Sequence, residues 1–317
     1  MNATISFPPL RYADLRFVLT PKKPYTLPPF LGSTLRGGLA SALKKVSCVA
    51  RRRPSCSECD FRHACYYALL FETQRPQWAE LMPKMETVVH PIVLEPPLKP
   101  SKKDSTEPII FIVRLFGRAT NASPFVIEAC RRLAVYGLGK DRFPFELEEV
   151  RDSTKRGALL FHKNGIEHSS YPRLKTISCE LDRPPAQISL YFLTPTRLVK
   201  DGKLLRTPTV EALVRAIVFR IKAIAYFHDA TRWDFDVETL REAIKGITIT
   251  HSQTSFQRLQ RVSTRQQRKV PLDGFVGRIR LSGESLKILH PLFVAGQVLH
   301  IGKGTVFGLG WYRLVES

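Results

Sequence analysis

An α+β fold in two halves is what this sequence predicts, and three observations predict it. The chain has 317 residues and 44% hydrophobic content, which suits two cores better than one. Stretches of period-two alternation are interleaved with stretches of helical periodicity along the chain. The order strand, helix, strands, helix, strand occurs twice without any visible repeat of sequence, and this is the order of two tandem ferredoxin-like, or RRM-like, domains.

Residues 11–19, RYADLRFVL, alternate apolar and polar side chains and form the first predicted strand. A proline-punctuated loop, TPKKPYTLPP, follows. Over residues 31–46, Leu31, Leu35, Leu39, Leu43 and Val46 share one helical face, so a helix is expected despite Gly37 and Gly38. Strands are expected at 87–95 and 109–116, joined by the soluble loop PPLKPSKKDSTEP, and a helix near 121–137. LLFHKNGIEH carries a hairpin signal at Asn164-Gly165. LDRPPAQ, residues 181–187, reads as the boundary, giving domains 1–184 and 185–317. After it the pattern restarts. A strand is expected at 187–193, helices at 209–228 and 236–245, strand material through 269–282, a helix at 284–299 and a last strand at 311–315.

Charge narrows the function. Lys and Arg total 49 against 28 Asp and Glu, leaving +21, an excess that points to a polyanionic partner. No run approaches the roughly 18 apolar residues of a spanning helix, and the basic residues do not gather on one amphipathic helix. Nucleic acid is therefore favoured over a membrane. MNATISFPPLRYADLR lacks the charged start, apolar stretch and cleavage site of an export signal, so a cytoplasmic location is expected. A reducing compartment argues against a disulfide framework from the six cysteines.

Four of those cysteines, Cys48, Cys56, Cys59 and Cys65, fall close together in CVARRRPSCSECDFRHAC. The Cys56-x-x-Cys59 pair sets two thiolates on one tight turn, as tetrahedral zinc sites do, and Cys48 and Cys65 complete a set of four. His63 is an alternative to Cys65, four thiolates also suit an iron–sulfur cluster, and the cysteines also read as small apolar residues without metal. A closed four-thiolate site has no open position, so no catalytic role is expected of it. Cys130 and Cys179 stand alone and read as core residues.

Near the C-terminus, LHIGKGTVFGLGWY places Gly302, Gly304, Gly308 and Gly310 around Lys303. Glycines at this density permit close backbone approach to phosphate, with N–H groups forming an anion-binding concavity. The segment is neither a Walker loop nor a dinucleotide fingerprint, and a tight packing bend is the other reading. Upstream, SFQRLQRVSTRQQRKVPLDGFVGRIRLSG carries Arg258, Arg261, Arg265, Arg268 and Lys269 with one acid nearby, Asp273. A merely solvated face alternates its signs; this one does not, and phosphate contact is expected.

PPFLGSTLRGGLASALKKVSC, SCSECDFRHACYYALLFE, RVSTRQQRKVPLDGFVGRIRLSG and LHIGKGTVFGLGWYRL together resemble the CRISPR-associated RAMP-superfamily endoribonucleases that process precursor CRISPR RNA. The resemblance is to the branch with a cysteine knuckle inserted after the first helix. It implies two ferredoxin-like domains with RNA crossing a basic face. It also implies metal-independent cleavage by a 2′-hydroxyl, giving a 2′,3′-cyclic phosphate and a 5′-hydroxyl. Such chemistry needs a base, an acid and cations around the phosphorane.

Better-known members often carry a histidine in or just after the first helix, and residues 31–62 contain none. The expected catalytic residues are therefore His300 at the loop entrance, Lys303 as charge stabiliser, and Arg36 on the first helix, ahead of Lys44 and Lys45. The other reading of His300 is a structural histidine that orients the loop. Val262 stands where the family often has tyrosine. His63, His90, His228 and His251 gain no support from the resemblance. The partners implied are CRISPR repeat RNA, mature guide RNA and effector-complex subunits. A non-catalytic RAMP subunit that holds guide RNA and a general zinc-knuckle RNA-binding protein are the alternatives.

Overall fold

A computed structural model describes residues 5–50, 55–83, 85, 88–152, 157–165, 171–177, 185–263 and 268–316, without the side chains of Val262, Ser263 and Arg268. It is a mixed α+β structure in two compact units. One unit holds residues 11–176 and 227–229; the other holds 1–10, 177–226 and 230–317.

In the N-terminal unit the elements are β1 (Leu10–Pro21), α1 (Gly32–Ser47), α2 (Tyr66–Phe71), β2 (Ile92–Glu95), β3 (Ile109–Phe116), α3 (Ser123–Tyr136), β4 (Phe145–Asp152), β5 (Leu159–His162) and β6 (Lys175–Ile177). The strands pair in the order β2-β3-β1-β4-β5, with β6 on β1. The alternation of β1 turns Ala13, Leu15, Phe17 and Leu19 into the core at 0% exposure. Leu35, Leu39 and Leu43 of α1 are buried as the leucine stripe predicts. Gly38 lets α1 approach α3, because a Cβ there would strike the Leu133 side chain. On β3, Arg114 is buried between Asp14 at 2.6 Å and Glu95 at 2.7 Å, so its charge is compensated where water is excluded.

The C-terminal unit contains β7 (Gln187–Thr196), β8 (Val199–Lys200), β9 (Lys203–Leu204), α4 (Val210–Asp229), α5 (Val237–Lys245), β10 (Thr248–Gln257), β11 (Gln260–Ser263), β12 (Arg268–Pro271), β13 (Gly274–Ser282), α6 (Leu286–Leu299) and β14 (Tyr312–Glu316). Its main sheet runs β10-β13-β7-β14, all antiparallel. Counting β7, β10, β13 and β14 as first to fourth, the order is second-third-first-fourth. β1, β2, β3 and β4 repeat that order. In both units the two intervening helices are α1 and α3 or α4 and α6, the split βαβ arrangement.

Two local packing events explain the unit membership at the seams. Trp233 Nε1 donates to the Ser6 carbonyl at 2.7 Å and its ring meets Phe7 edge-on, which ties the first residues to the C-terminal unit. The end of α4 joins the N-terminal unit through His228 Nε2, which donates to the Val89 carbonyl at 2.8 Å, and through an Arg11–Asp229 ion pair at 2.8 Å.

Several elements depart from expectation. β2 is shorter than 87–95 and begins after Pro91, whose ring cannot serve an interior ladder position. β4 and β10 were not expected as strands. FELEEVRD hides its buried Phe145, Leu147 and Val150 among acids. TITHSQTSFQ is half-buried at most because β10 is an edge strand, so it carries no apolar alternation. The strand material at 269–282 is two strands, β12 and β13, broken at Leu272-Asp273. The segment 181–184 and Cys179 lie outside the described residues; Cys130 is fully buried in α3, where burial pushes its thiol far up.

Candidate nucleic-acid interface

α6 ends at Leu299, and His300 takes a left-handed φ of +54° to turn the chain into the glycine loop. Its imidazole is fully buried and lies parallel to the Trp311 ring, 5.9 Å between centroids and 4° between planes. The loop is laced by backbone bonds. Ile301 N–H donates to the Gly310 carbonyl at 3.0 Å, Gly310 N–H to Pro195 at 3.1 Å, and Lys303 N–H to Arg197 at 3.0 Å. Gly302, Gly304, Gly308 and Gly310 all have φ between +70° and +82°. At Gly310 a Cβ would land on the Ile301 carbonyl oxygen, and at Gly302 on that of Arg197. The glycines therefore serve turn geometry and close strand approach at once. Lys303 is exposed. Beneath the loop, the buried Arg220 guanidinium donates to the Leu299 carbonyl at 3.0 Å, and burial pulls its pKa down to about 10.

The basic segment forms a two-stranded arm, β11 paired with β12, in which Arg261 faces Val270 and Lys269 faces Val262. Arg261 places its guanidinium 4.6 Å from the centre of the Phe307 ring, so the arm touches the glycine loop directly. Arg258 and Lys269 are exposed. Arg265 lies outside the described residues, and Arg268 is placed by its backbone alone. The base of the arm is fastened at Asp273. Its Oδ1 accepts from Leu259 N–H at 2.9 Å, and its backbone carbonyl accepts from Arg197 Nη1 at 2.6 Å. Arg197 thus links loop to arm, through its carbonyl on one side and its guanidinium on the other. Nothing in the sequence singled out Arg197, since its position depends on where β7 ends beside β13. On the sheet itself, cross-strand neighbours Arg313, Tyr191, Arg278 and Gln253 form one row, with Arg278 5.1 Å from the Tyr191 ring centre.

The predicted catalytic residues are divided between the units. His300 and Lys303 belong to the C-terminal one; Arg36 sits half-buried on α1 in the N-terminal one, 5.1 Å from the Phe71 ring centre. Lys44 and Lys45 lie over Tyr67 at 5.4 Å and Tyr136 at 4.1 Å.

The knuckle follows α1. Cys48 is the residue that ends α1, Cys65 is the residue that opens α2, and Cys59 N–H donates to the Cys56 carbonyl in the turn between them. All four cysteines line one small cavity with Lys44 and Arg62; His63 does not line it. Burial raises the Cys56 thiol, with Glu72 and the neighbouring Cys65 and Cys48 adding to the effect. A cation there would reverse that balance. Among the described residues no three His, Cys, Asp or Glu side chains are arranged to hold a metal ion, so the thiols gather without converging on a point. By residue type the four thiols suit a thiophilic metal; Cys59 is buried and Cys48, Cys56 and Cys65 are half-buried.

A family model described as an N-terminal domain, AF_1859_N, matches residues 10–171, and the model of the CRISPR-associated endoribonuclease Cas6 matches residues 190–312. A curated Archaeoglobus fulgidus protein, named as uncharacterized, is 30% identical over 129 residues, 41% of this chain. That match spans only 42% of the relative's length. Among solved structures, a product complex of Thermus thermophilus Cas6 is 16% identical, covering 96% of this chain and 100% of that one at a TM-score of 0.56. A partial Cas6–RT–Cas1–Cas2 complex is 15% identical, covering 99% of this chain and 47% of that one at a TM-score of 0.55. At these identities the structural likeness establishes the fold.

Proposed function

We propose that this chain, which belongs to the family of the AF_1859_N N-terminal domain and matches the Cas6 endoribonuclease model over residues 190–312, is a Cas6-type enzyme that cuts CRISPR repeat RNA without a catalytic metal. A ribose 2′-hydroxyl attacks the adjacent phosphate, leaving a 2′,3′-cyclic phosphate and a 5′-hydroxyl. Both units are read as ferredoxin-like domains. The observation that carries the proposal is the junction at Arg197, which joins the glycine loop bearing exposed Lys303 to the arm bearing Arg258, Arg261 and Lys269. Phosphates along the arm fix the strand, and Lys303 offsets charge on the phosphorane. The N–H groups of Lys303, Phe307, Gly308, Leu309 and Gly310 donate within the protein, so the Lys303 ammonium is the loop's main contribution at the phosphorane. Arg36, on the N-terminal unit, is proposed as a further RNA-facing cation. His300, enclosed and stacked on Trp311, holds the loop's entry angle and acts as a positioning residue.

The four knuckle cysteines are proposed to hold a structural zinc ion that pins the end of α1 to the start of α2; iron–sulfur ligation is the other fit to four thiols. Such a site is saturated by protein ligands, so no step of cleavage passes through it.

The second reading is a subunit that holds mature guide RNA beside effector-complex subunits without cutting. The enclosure of His300, together with the lack of histidine in residues 31–62, favours it. Purified protein incubated with its own locus's repeat RNA in EDTA separates the two. The nuclease reading expects cleavage that one 2′-deoxy at the cut abolishes, and a loss of about 10²-fold in rate for Lys303→Ala, the scale of removing one charge-stabilising group. Tight binding without cleavage leaves the guide-holding subunit.

A further inference from the structure

Outside the loop and arm, one cavity gathers two arginines that make no ion pair among the described residues. It lies within the N-terminal unit, behind the knuckle, and is lined by Arg62, His63, Glu72, Thr73, Gln74 and Arg118 among others. Arg118 projects from the 3-10 turn Gly117–Ala122, and that mount is rigid. Gly117 has a φ of +53° and no room for a Cβ against the His228 carbonyl. The Thr120 hydroxyl donates to the Gly117 carbonyl at 2.9 Å, and the Ser123 hydroxyl to that of Thr120 at 2.6 Å. Partial burial alone lowers the Arg118 pKa, with no acid acting in the other direction. Arg62 is steadied by one bond, from Nη1 to the Cys59 carbonyl at 3.2 Å.

Among the described residues, the one acid in this lining is Glu72, whose carboxylate accepts from the Tyr67 hydroxyl at 3.3 Å. Burial, with Glu72 beside it, pushes the Tyr67 phenol up to about 12, so it stays a donor at all physiological pH. Thr73 is also committed, its hydroxyl donating to the Leu69 carbonyl at 2.6 Å. Two guanidiniums, an imidazole and an amide therefore surround the opening with no ion pair to either arginine among the described residues. A guanidinium's fork of N–H donors matches the two non-bridging oxygens of a phosphodiester, and Arg118 offers its fork from an exposed position on a fixed turn.

We infer that this cavity is a phosphodiester subsite of the RNA path, in which Arg118 and Arg62 hold one backbone phosphate beside the knuckle. The inference rests on the reading of the chain as an RNA-binding protein, and it extends the contacts from the C-terminal arm to the N-terminal unit's own surface.

The test is the salt dependence of RNA binding by the full chain, with the cut position 2′-deoxy so that cleavage plays no part. Each single-strand phosphate contact contributes roughly 0.7 to the slope of log K against log salt. Arg118→Gln should lower the slope by about that amount, and Arg118→Lys should keep it. Lys103→Gln, an exposed charge elsewhere in the unit, should leave the slope as in the wild type. A wild-type slope in Arg118→Gln overturns the inference, as does an equal loss in Lys103→Gln, which would mean diffuse charge. A melting-temperature rise with inorganic phosphate that Arg118→Gln abolishes, beside an unchanged RNA slope, overturns it differently: the cavity would then take a free anion. Loss of cleavage by wild type sinks the nuclease reading without touching these slopes, so the two failures are distinguishable.

Discussion

The glycine loop and the cysteine knuckle are both irregular connections entered from a helix, yet they are held in different ways. The loop leaves α6 and is bonded through its backbone to Pro195, to Arg197 and across itself from Ile301 to Gly310. The knuckle leaves α1 and, over residues 55–64, its backbone bonds are local: Cys59 to Cys56, Arg62 to Cys59, Ala64 to Phe61. A connection laced to strands inherits their order. One whose backbone bonds, among the described residues, are local depends more on its side chains, and here those include four thiols around a cavity. The loop's geometry should therefore survive side-chain changes and fail at its glycines, whereas the knuckle should fail at its cysteines.

Metal removal is the strongest way to break that comparison. Structural zinc contributes about 10–16 kcal/mol in isolated zinc-finger peptides, so its loss should dominate any local energetics here. Elemental analysis of the purified chain is expected to find one zinc, absent in Cys56→Ser/Cys59→Ser. That variant, or wild type treated with a strong chelator, should be clipped by protease between residues 48 and 65 while the C-terminal unit stays resistant. A metal-free wild type with an equally resistant knuckle would show that both connections are self-sufficient.

The next effect belongs to the loop. Gly310→Ala would place a methyl group on the Ile301 carbonyl at a φ of +70°. Gly165→Ala meets the same backbone penalty at φ +82° with nothing within 4 Å. Left-handed strain alone costs about 1 kcal/mol, and a buried clash adds about 1–3 more. Gly310→Ala should thus lower the melting temperature clearly more than Gly165→Ala. Equal shifts would mean the loop gives way, and that the lacing is weaker than its bonds suggest.

Periodic elements were legible from sequence because burial writes itself into them. The stripe of α1 and the alternation of β1 each have one face at full burial, and the pattern named the face. β10 was not legible for the opposite reason: exposed at an edge, it needs no apolar residues, only β13 beside it. The four cysteines could be grouped by spacing, and His63 was a rival to Cys65. The fold separates them, since His63 lines the neighbouring cavity instead. His300 was legible as a loop residue but not as an enclosed one. Its fully buried imidazole lies parallel to Trp311, a neighbour brought beside it when the loop folds back.

The smallest effect tests the junction between loop and arm. Arg197 is half-exposed, so its guanidinium–carbonyl bond to Asp273 should contribute about 1 kcal/mol, less than a buried charged bond. Arg197→Ala should leave the folding stability within about 1 kcal/mol of wild type and weaken RNA binding about fivefold. Asp273→Ala removes a different half of the same fastening, the acceptor of the Leu259 N–H. If the two residues fix one element, the base of the arm, the second substitution adds little once the first is made. Simple additivity would mean that loop and arm meet RNA independently. In that case the shared orientation of Lys303 and Arg261 comes from the Arg261–Phe307 contact alone, and Phe307→Ala becomes the variant that uncouples them.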